Sequence, residues 1–225
     1  FNIKGKKIIE IGSNDGFLSL ILNQKGADIL AVDASKVMVN ICKKKNLNSI
    51  HSIFNHFESK RIKKFYGKAD IIIANNVFNH SDDPNNFLKG INNLLKDDGK
   101  FIFEQPNFVK GVTTLRFDQI YHEHVSYFTV KNIYSILKHN NLKILNISNN
   151  NYHGGSIRTI ATKKNSTSKF IRLNKLINTE KKKNIYMFNT YKNMMLKIDK
   201  KKKKLLNLIT KLNDNGDIVC GVGAG

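Results

Sequence analysis

Two short stretches carry side chains suited to moving a proton. Tyr121-His122-Glu123-His124 gathers two imidazoles, a phenol and a carboxylate in consecutive positions. An imidazole with an unperturbed pKa of about 6.5 is a natural base at neutral pH. If this stretch is extended, His122 and His124 point one way and Tyr121 and Glu123 the other; a tight turn would bring Tyr121 and His124 together instead. His80 follows an apolar run, Ala69 to Ala74, that ends in Asn75. Alone it reads as a loop or capping histidine, yet its loop should neighbour the one bearing Tyr121 to His124. A metal site built from His80, His122 and His124 is conceivable, but no further ligand cluster supports it, and no metal is expected. Cys42 and Cys220 are far apart and lack metal-ligand spacing, which argues against a disulfide framework and suits a reducing cytoplasm.

A second constellation is suited to holding a ligand. Glu10-Ile11-Gly12-Ser13-Asn14-Asp15-Gly16 leaves one apolar run and enters another, as a glycine turn does between a strand and a helix N-terminus. Dinucleotide loops want G-x-G-x-x-G, because the second glycine lets the backbone press on the pyrophosphate. Asn14 and Phe17 occupy the second and third glycine positions here, so a ligand without pyrophosphate fits better. Asp33 closes the next apolar run, where a carboxylate can accept both hydroxyls of a ribose. A glycine loop with an acidic second-strand end, and no phosphate machinery, is what an adenosyl sulfonium cofactor needs. Asn75 would meet that cofactor's amino-acid end. Glu10 is weaker, since it also reads as a solvated strand end.

Short apolar runs alternating with helical stretches predict a parallel α/β sheet of Rossmann-like type. Strands are expected at Lys7 to Ile11, Asp28 to Val32, Ile50 to Phe54, Ala69 to Ala74 and Lys100 to Glu104, with helices at Phe17 to Gln24 and Pro84 to Lys96. After an irregular stretch at 107 to 128 come a helix at Val130 to Asn140 and strands at Leu142 to Ile147 and Ser156 to Thr162, the last two antiparallel. Residues 163 to 179 read as a linker and 180 to 213 as one long basic bridging helix. Asp217 to Cys220, running into Gly221 to Gly225, reads as the start of a further α/β domain. The catalytic domain would then be 1 to 162.

The 225 residues carry a net charge of +21, which invites a nucleic-acid reading. Only four of the 38 basic residues are Arg, however, and Arg is the side chain suited to bidentate phosphate and base contacts. Residues 163 to 213 hold 16 basic and 2 acidic side chains, so most of the charge lies away from the predicted chemistry. No apolar run approaches the roughly 18 residues that span a bilayer, and no signal peptide is evident.

Three segments together resemble the S-adenosylmethionine-dependent C-methyltransferases that act on nucleotide-linked keto-deoxysugars: Glu10-x-Gly12-x-Asn14-Asp15-Gly16, Ala69 to His80 followed by Asp83-Pro84, and Phe117 to His124. His153-Gly154-Gly155-Ser156-Ile157-Arg158 and Gly221-Val222-Gly223-Ala224 are similar to that family's later segments. The resemblance implies a tight turn at Tyr121 to His124. It implies His124 as base, Tyr121 as hydrogen-bond donor to the keto or enolate oxygen, Glu123 as a substrate-binding or orienting carboxylate, and His80 as a competing base. It also implies S-adenosylmethionine as cofactor and a nucleotide-linked keto-sugar as partner, with neither nucleic acid nor membrane. Against the family pattern, a cysteine-rich zinc-binding stretch is missing from this sequence, and a C-terminal domain would continue past Gly225. Methylation of oxygen or nitrogen on another small molecule is the alternative, and nucleic-acid binding through the Lys-rich helix is the alternative from another class.

Overall fold

The structure, a computed structural model, describes residues 2–167 and 173–222. Seven strands form one sheet: β1 (Lys7–Ile11), β2 (Asp28–Asp33), β3 (Ser49–His51), β4 (Ala69–Asn75), β5 (Leu95–Pro106), β6 (Leu142–Asn150) and β7 (Ser156–Lys163). Their order is β3-β2-β1-β4-β5-β7-β6. β1 to β5 pair in parallel, while β7 runs antiparallel to both β5 and β6. β1 and β4 are nearly continuous apolar runs with their interiors buried, as strands covered on both faces require.

Eight helices accompany the sheet among the described residues: α1 (Phe17–Gln24), α2 (Lys36–Lys44), α3 (His56–Phe65), α4 (Pro84–Leu94), α5 (Phe108–Thr113), α6 (Val130–His139), α7 (Asn174–Lys182) and α8 (Phe188–Asp214). Several starts are written in side chains. Asn55 Oδ1 accepts the Glu58 N–H at 2.9 Å and Asp83 Oδ1 the Asn86 N–H at 2.9 Å, with Pro84 in the first turn. α1 differs: Gly16 caps it in the left-handed conformation, with no side-chain cap, leaving its first N–H groups beside the glycine loop.

The reading from sequence places the sheet correctly and needs five corrections in its details. The third strand is only Ser49–His51, because Ser52 N–H closes on Asp33 O at 2.9 Å and the chain turns toward the Asn55 cap. α2 and α3 were not anticipated. Their outer faces carry Lys36, Lys43, Lys44, Lys60, Lys63 and Lys64, and they bury few residues, Val39 and Cys42 in one and Ser59 and Ile62 in the other. The single helix expected from 180 is two helices, because Asn184 takes a left-handed φ of 53° and Ile185 turns inward. Ile185, Met194 and Ile198 cluster with Val109 and Val112 of α5, which fixes the start of α8 to the domain. α7 occupies the second half of the expected linker, and its Glu180 is 3 % exposed. The Glu180 carboxylate accepts the Val130 N–H at 2.6 Å and the Lys131 N–H at 3.3 Å, capping α6. Asp217 to Cys220 are exposed and unpaired in any strand. Gly223 to Gly225 lie outside the described residues, as does the side chain of His153.

Candidate active site

The parallel strands end along one edge, where ligands bind in open α/β sheets. There the glycine loop, the end of β2 and the loop after β4 enclose a cleft of about 490 Å³. Gly12 has φ 70°, and a Cβ placed on it would stand 2.2 Å from Val77 Cγ2. The loop therefore needs glycine at position 12, both for its φ and for the close approach of the segment after β4. Gly16, at φ 78°, meets a similar limit, since a Cβ would lie 2.7 Å from Leu47 Cδ1 and 2.8 Å from Cys42 Sγ.

Asp33 is locked in place from two sides. Its Oδ2 accepts the Asn14 N–H at 2.8 Å and its Oδ1 the Ser35 N–H at 2.8 Å. Each oxygen keeps further acceptor capacity, and the residue lines the cleft. Asn14 and Asp15 hold the loop rather than line the cleft. Asn14 O accepts the Cys42 thiol, and Asp15 pairs with Lys45 Nζ at 2.9 Å, which keeps its carboxyl below the usual range.

Glu10 sits beneath the loop, 6 % exposed, and accepts the Ser19 hydroxyl at 2.5 Å. Burial pushes its pKa up to about 7, against the Ser19 hydrogen bond. Asn75 is exposed at the strand end, and its neighbours Asn76 and Val77 line the cleft. The lining carries Asp33, Asp82 and Asp83 but neither Lys nor Arg, in a chain of net charge +21. A pyrophosphate would be repelled there. A cationic ligand would be favoured.

Beside this cleft lies the cluster of Tyr121, His124 and His80. Tyr121 to His124 form a tight turn closed by His124 N–H to Tyr121 O at 3.0 Å, and the turn brings Tyr121 Oη to 2.9 Å from His124 Nε2. His124 Nδ1 lies 2.8 Å from Gln119 O. A carbonyl can only accept, so in the neutral ring Nδ1 carries the proton, Nε2 presents its lone pair, and the Tyr121 hydroxyl donates to it. The Tyr127 hydroxyl also donates to Gln119 O, at 3.3 Å, and steadies that anchor. His124 is 8 % exposed and Tyr121 42 %.

His80 faces His124 edge-on, with ring centroids 5.0 Å apart, and lines the cleft as well. Burial and the nearby His124 lower its pKa, partly offset by Glu123. Burial, then the Glu123 charge, raises the pKa of Tyr121 and keeps it a proton donor. Glu123 and His122 are exposed. Among the described residues no group of three His, Cys, Asp or Glu side chains is arranged to hold a metal, and no helix is long and apolar enough to cross a membrane.

Known proteins share this arrangement of elements. Residues 1–147 match the family described as "Methyltransferase domain". The chain belongs to this methyltransferase family. Residues 151–225 match "C-methyltransferase C-terminal domain". The chain is 28 % identical over 157 residues to the C-methyltransferase NovU of Streptomyces niveus, covering 70 % of this chain and 37 % of NovU. With the mitochondrial ubiquinone biosynthesis O-methyltransferase of Schizosaccharomyces pombe it shares 27 % identity over 107 residues, 44 % of this chain and 37 % of that protein. The chain thus spans well under half the length of these two relatives. Among solved structures, the magnesium protoporphyrin IX methyltransferase of Synechocystis PCC 6803, with bound SAH, superposes with a TM-score of 0.56 at 20 % identity, covering 72 % of this chain and 76 % of that one. That likeness establishes the fold.

Within this methyltransferase domain, sequence reasoning missed the apolar wall at Ile53 and Phe54, the Gln119 carbonyl and the anchoring role of Tyr127. Ile53 is 74 % exposed although apolar, and it lines the cleft next to Asp33. An apolar pair directly after a short strand, just ahead of an Asn cap, was a usable signal. A backbone carbonyl leaves none.

Proposed function

We propose that this chain is an S-adenosylmethionine-dependent C-methyltransferase that methylates a carbon next to the ketone of a nucleotide-linked deoxysugar. The observation that carries the reading is the Gln119–His124–Tyr121 chain of hydrogen bonds, which presents an unprotonated Nε2 next to a cleft with acidic lining. The cleft suits the cofactor on its own chemistry. Asp33 offers two fixed carboxylate oxygens for ribose hydroxyls, Ile53 and Phe54 an apolar wall for a base, and the three aspartates a field that favours a cation. When bound, S-adenosylmethionine would supply an electrophilic methyl group, with a neutral thioether as the leaving group that keeps the electron pair.

The residues of this chain do the rest. His124 Nε2 takes the proton from the carbon beside the ketone, and the electron pair moves into the enolate. Tyr121 leaves Nε2 as the acceptor arrives and turns its hydroxyl to the ketone oxygen. Gln119 O holds Nδ1–H throughout, so the imidazolium that forms stays oriented. His80, held neutral by burial and by His124, separates the base from the cofactor cleft, and Glu123 stands at the exposed rim to meet sugar hydroxyls.

The protein with S-adenosylmethionine and a nucleoside-diphosphate keto-deoxyhexose should yield a methyl-branched sugar, identified by mass and NMR. Deuterium exchange at the acidic carbon should be lost in His124→Ala. Full exchange in that variant would remove His124 as base and turn attention to His80→Ala. O-methylation is the second reading, favoured by the ubiquinone O-methyltransferase relative, and a methoxy product in place of a new C–C bond would establish it.

A further inference from the structure

Two buried amides next to His124 have no hydrogen-bond partner among the described residues. Asn79 is 2 % exposed and Gln105 1 %, and for both side chains neither the amide nitrogen nor the oxygen has a hydrogen-bond partner among the described residues. Each orphaned polar group costs about 1–3 kcal/mol, and native proteins keep few of them. These two are not scattered. Both line one small niche of about 10 Å³, bordered by His124, Ser126, Tyr127 and Phe128, about the room of one oxygen atom.

The fold holds the niche in place. Asn79 sits in the turn after β4, and its backbone carbonyl accepts the Ser126 N–H at 3.0 Å, tying that turn to the segment after Tyr121–His124. Gln105 is near the end of β5, held in register opposite Ile157 of β7. Neither backbone is free to swing its amide into solvent. The proton-transfer cluster has a matching need. The Tyr121 hydroxyl, bonded to His124 Nε2 until the acceptor arrives, can give the enolate oxygen one hydrogen bond, and the niche beside His124 holds two further amide donors.

We propose that Asn79 and Gln105 form the binding niche for the ketone oxygen of the acceptor, donating from Nδ2 and Nε2 to the oxygen on which negative charge develops as His124 removes the neighbouring proton. This rests on the proposed carbon-acid chemistry and adds its oxyanion-stabilising residues. Amides serve this purpose well: they donate without titrating, and held in a buried niche they need little reorganisation as the charge appears. The niche also confers specificity, because an acceptor lacking the oxygen leaves both amides buried and unpaired.

The test uses Asn79→Leu and Gln105→Met, close in volume and apolar, on the whole chain. Calorimetric binding is measured for a nucleoside-diphosphate keto-deoxyhexose and for its analogue with CH2 in place of the ketone. The unaltered protein should prefer the keto compound by about tenfold or more, and each variant should lose that preference while binding the analogue within about twofold of the unaltered protein. Exchange at the acidic carbon should fall by about 10²-fold per amide. Ligand-free thermal stability should hold or rise, because an unpaired buried amide has been replaced by an apolar group. Variants that retain the keto preference and exchange rate, or that lose several degrees of Tm with binding unchanged, would overturn the niche and make the amides structural. Absence of binding of either compound to the unaltered protein would instead remove the sugar reading itself.

Discussion

The cleft at the strand ends and the helix α8 are opposites in charge, burial and attachment. The cleft is lined by three aspartates without Lys or Arg and is built on a sheet whose central strands β1 and β4 are buried along their interiors. α8 carries Lys200 to Lys204 in succession, and only Met194 and Ile198 of its 27 residues are buried. A chain charge of +21 therefore says little about the ligand at the site. Net charge is a long-range, screened property of the surface, whereas the proposed ligand contacts at Asp33, the backbone at Gly12 and the His124 cluster act within a few ångströms.

The largest expected effect concerns the cluster. His124→Ala should lower deuterium exchange and methyl transfer by about 10²–10⁴-fold, the usual contribution of a positioned base. Tyr121→Phe should cost less, since His124 keeps the lone pair on Nε2 and the Nδ1–H bond to the Gln119 carbonyl. Equal losses in the two variants would mean that the tyrosine takes part in the proton transfer itself. Next comes the cleft. Asp33→Ala removes the acceptor for the Asn14 and Ser35 N–H groups together with the proposed ribose contacts, and should weaken S-adenosylmethionine binding by more than tenfold in calorimetry. Asp33→Asn keeps one carbonyl oxygen and should lose less.

A smaller effect reports on what lies beneath the loop. Burial penalises the charged form of Glu10, so the folded protein holds this proton up to about pH 7 while the unfolded chain releases it near 4.5. Folding then takes up a proton between those values, and stability falls as pH rises through that window. Glu10→Gln should be neutral at pH 4 and stabilising at pH 8, by about 1–3 kcal/mol in denaturant unfolding. A gain independent of pH would show that Glu10 is not the group responsible.

How much of this was legible beforehand follows a physical division. Elements marked by long apolar runs or by side-chain caps, such as β1, β4 and the Asp83-Pro84 start of α4, could be read directly, because periodicity and capping are local properties. The split between α7 and α8 could not, since it depends on Asn184 adopting a left-handed conformation so that Ile185 can reach Val109 and Val112, a tertiary gain that overrides helical continuity. The glycine loop and the Tyr121–His124 turn were legible in residue type. What tunes them was not: the Gln119 carbonyl exists at every residue, and Asn79 and Gln105 stand in runs with nothing in their types to distinguish a buried amide from a surface one. Glu180 shows the same limit, a carboxylate in a lysine-rich stretch that caps a helix 50 residues away.

The smallest expected effect on the site tests the contrast itself. Replacing Lys200 to Lys204 together by Gln lowers the chain charge from +21 to +16 in a segment whose side chains are exposed. If the chemistry belongs to the cleft, S-adenosylmethionine affinity should change by less than about twofold, because exposed charges far from the site are screened over roughly 8–10 Å at physiological salt. Binding of the unaltered chain to a mixed-sequence oligonucleotide should be weak, should fall steeply with salt and should drop in the Gln variant, as counterion release by lysines requires. Sequence-selective binding that survives physiological salt would place function on α8 and restore meaning to the total charge. The scarcity of Arg along this helix argues for the first outcome, since a run of ammonium groups neutralises phosphates without the bidentate geometry that reads bases.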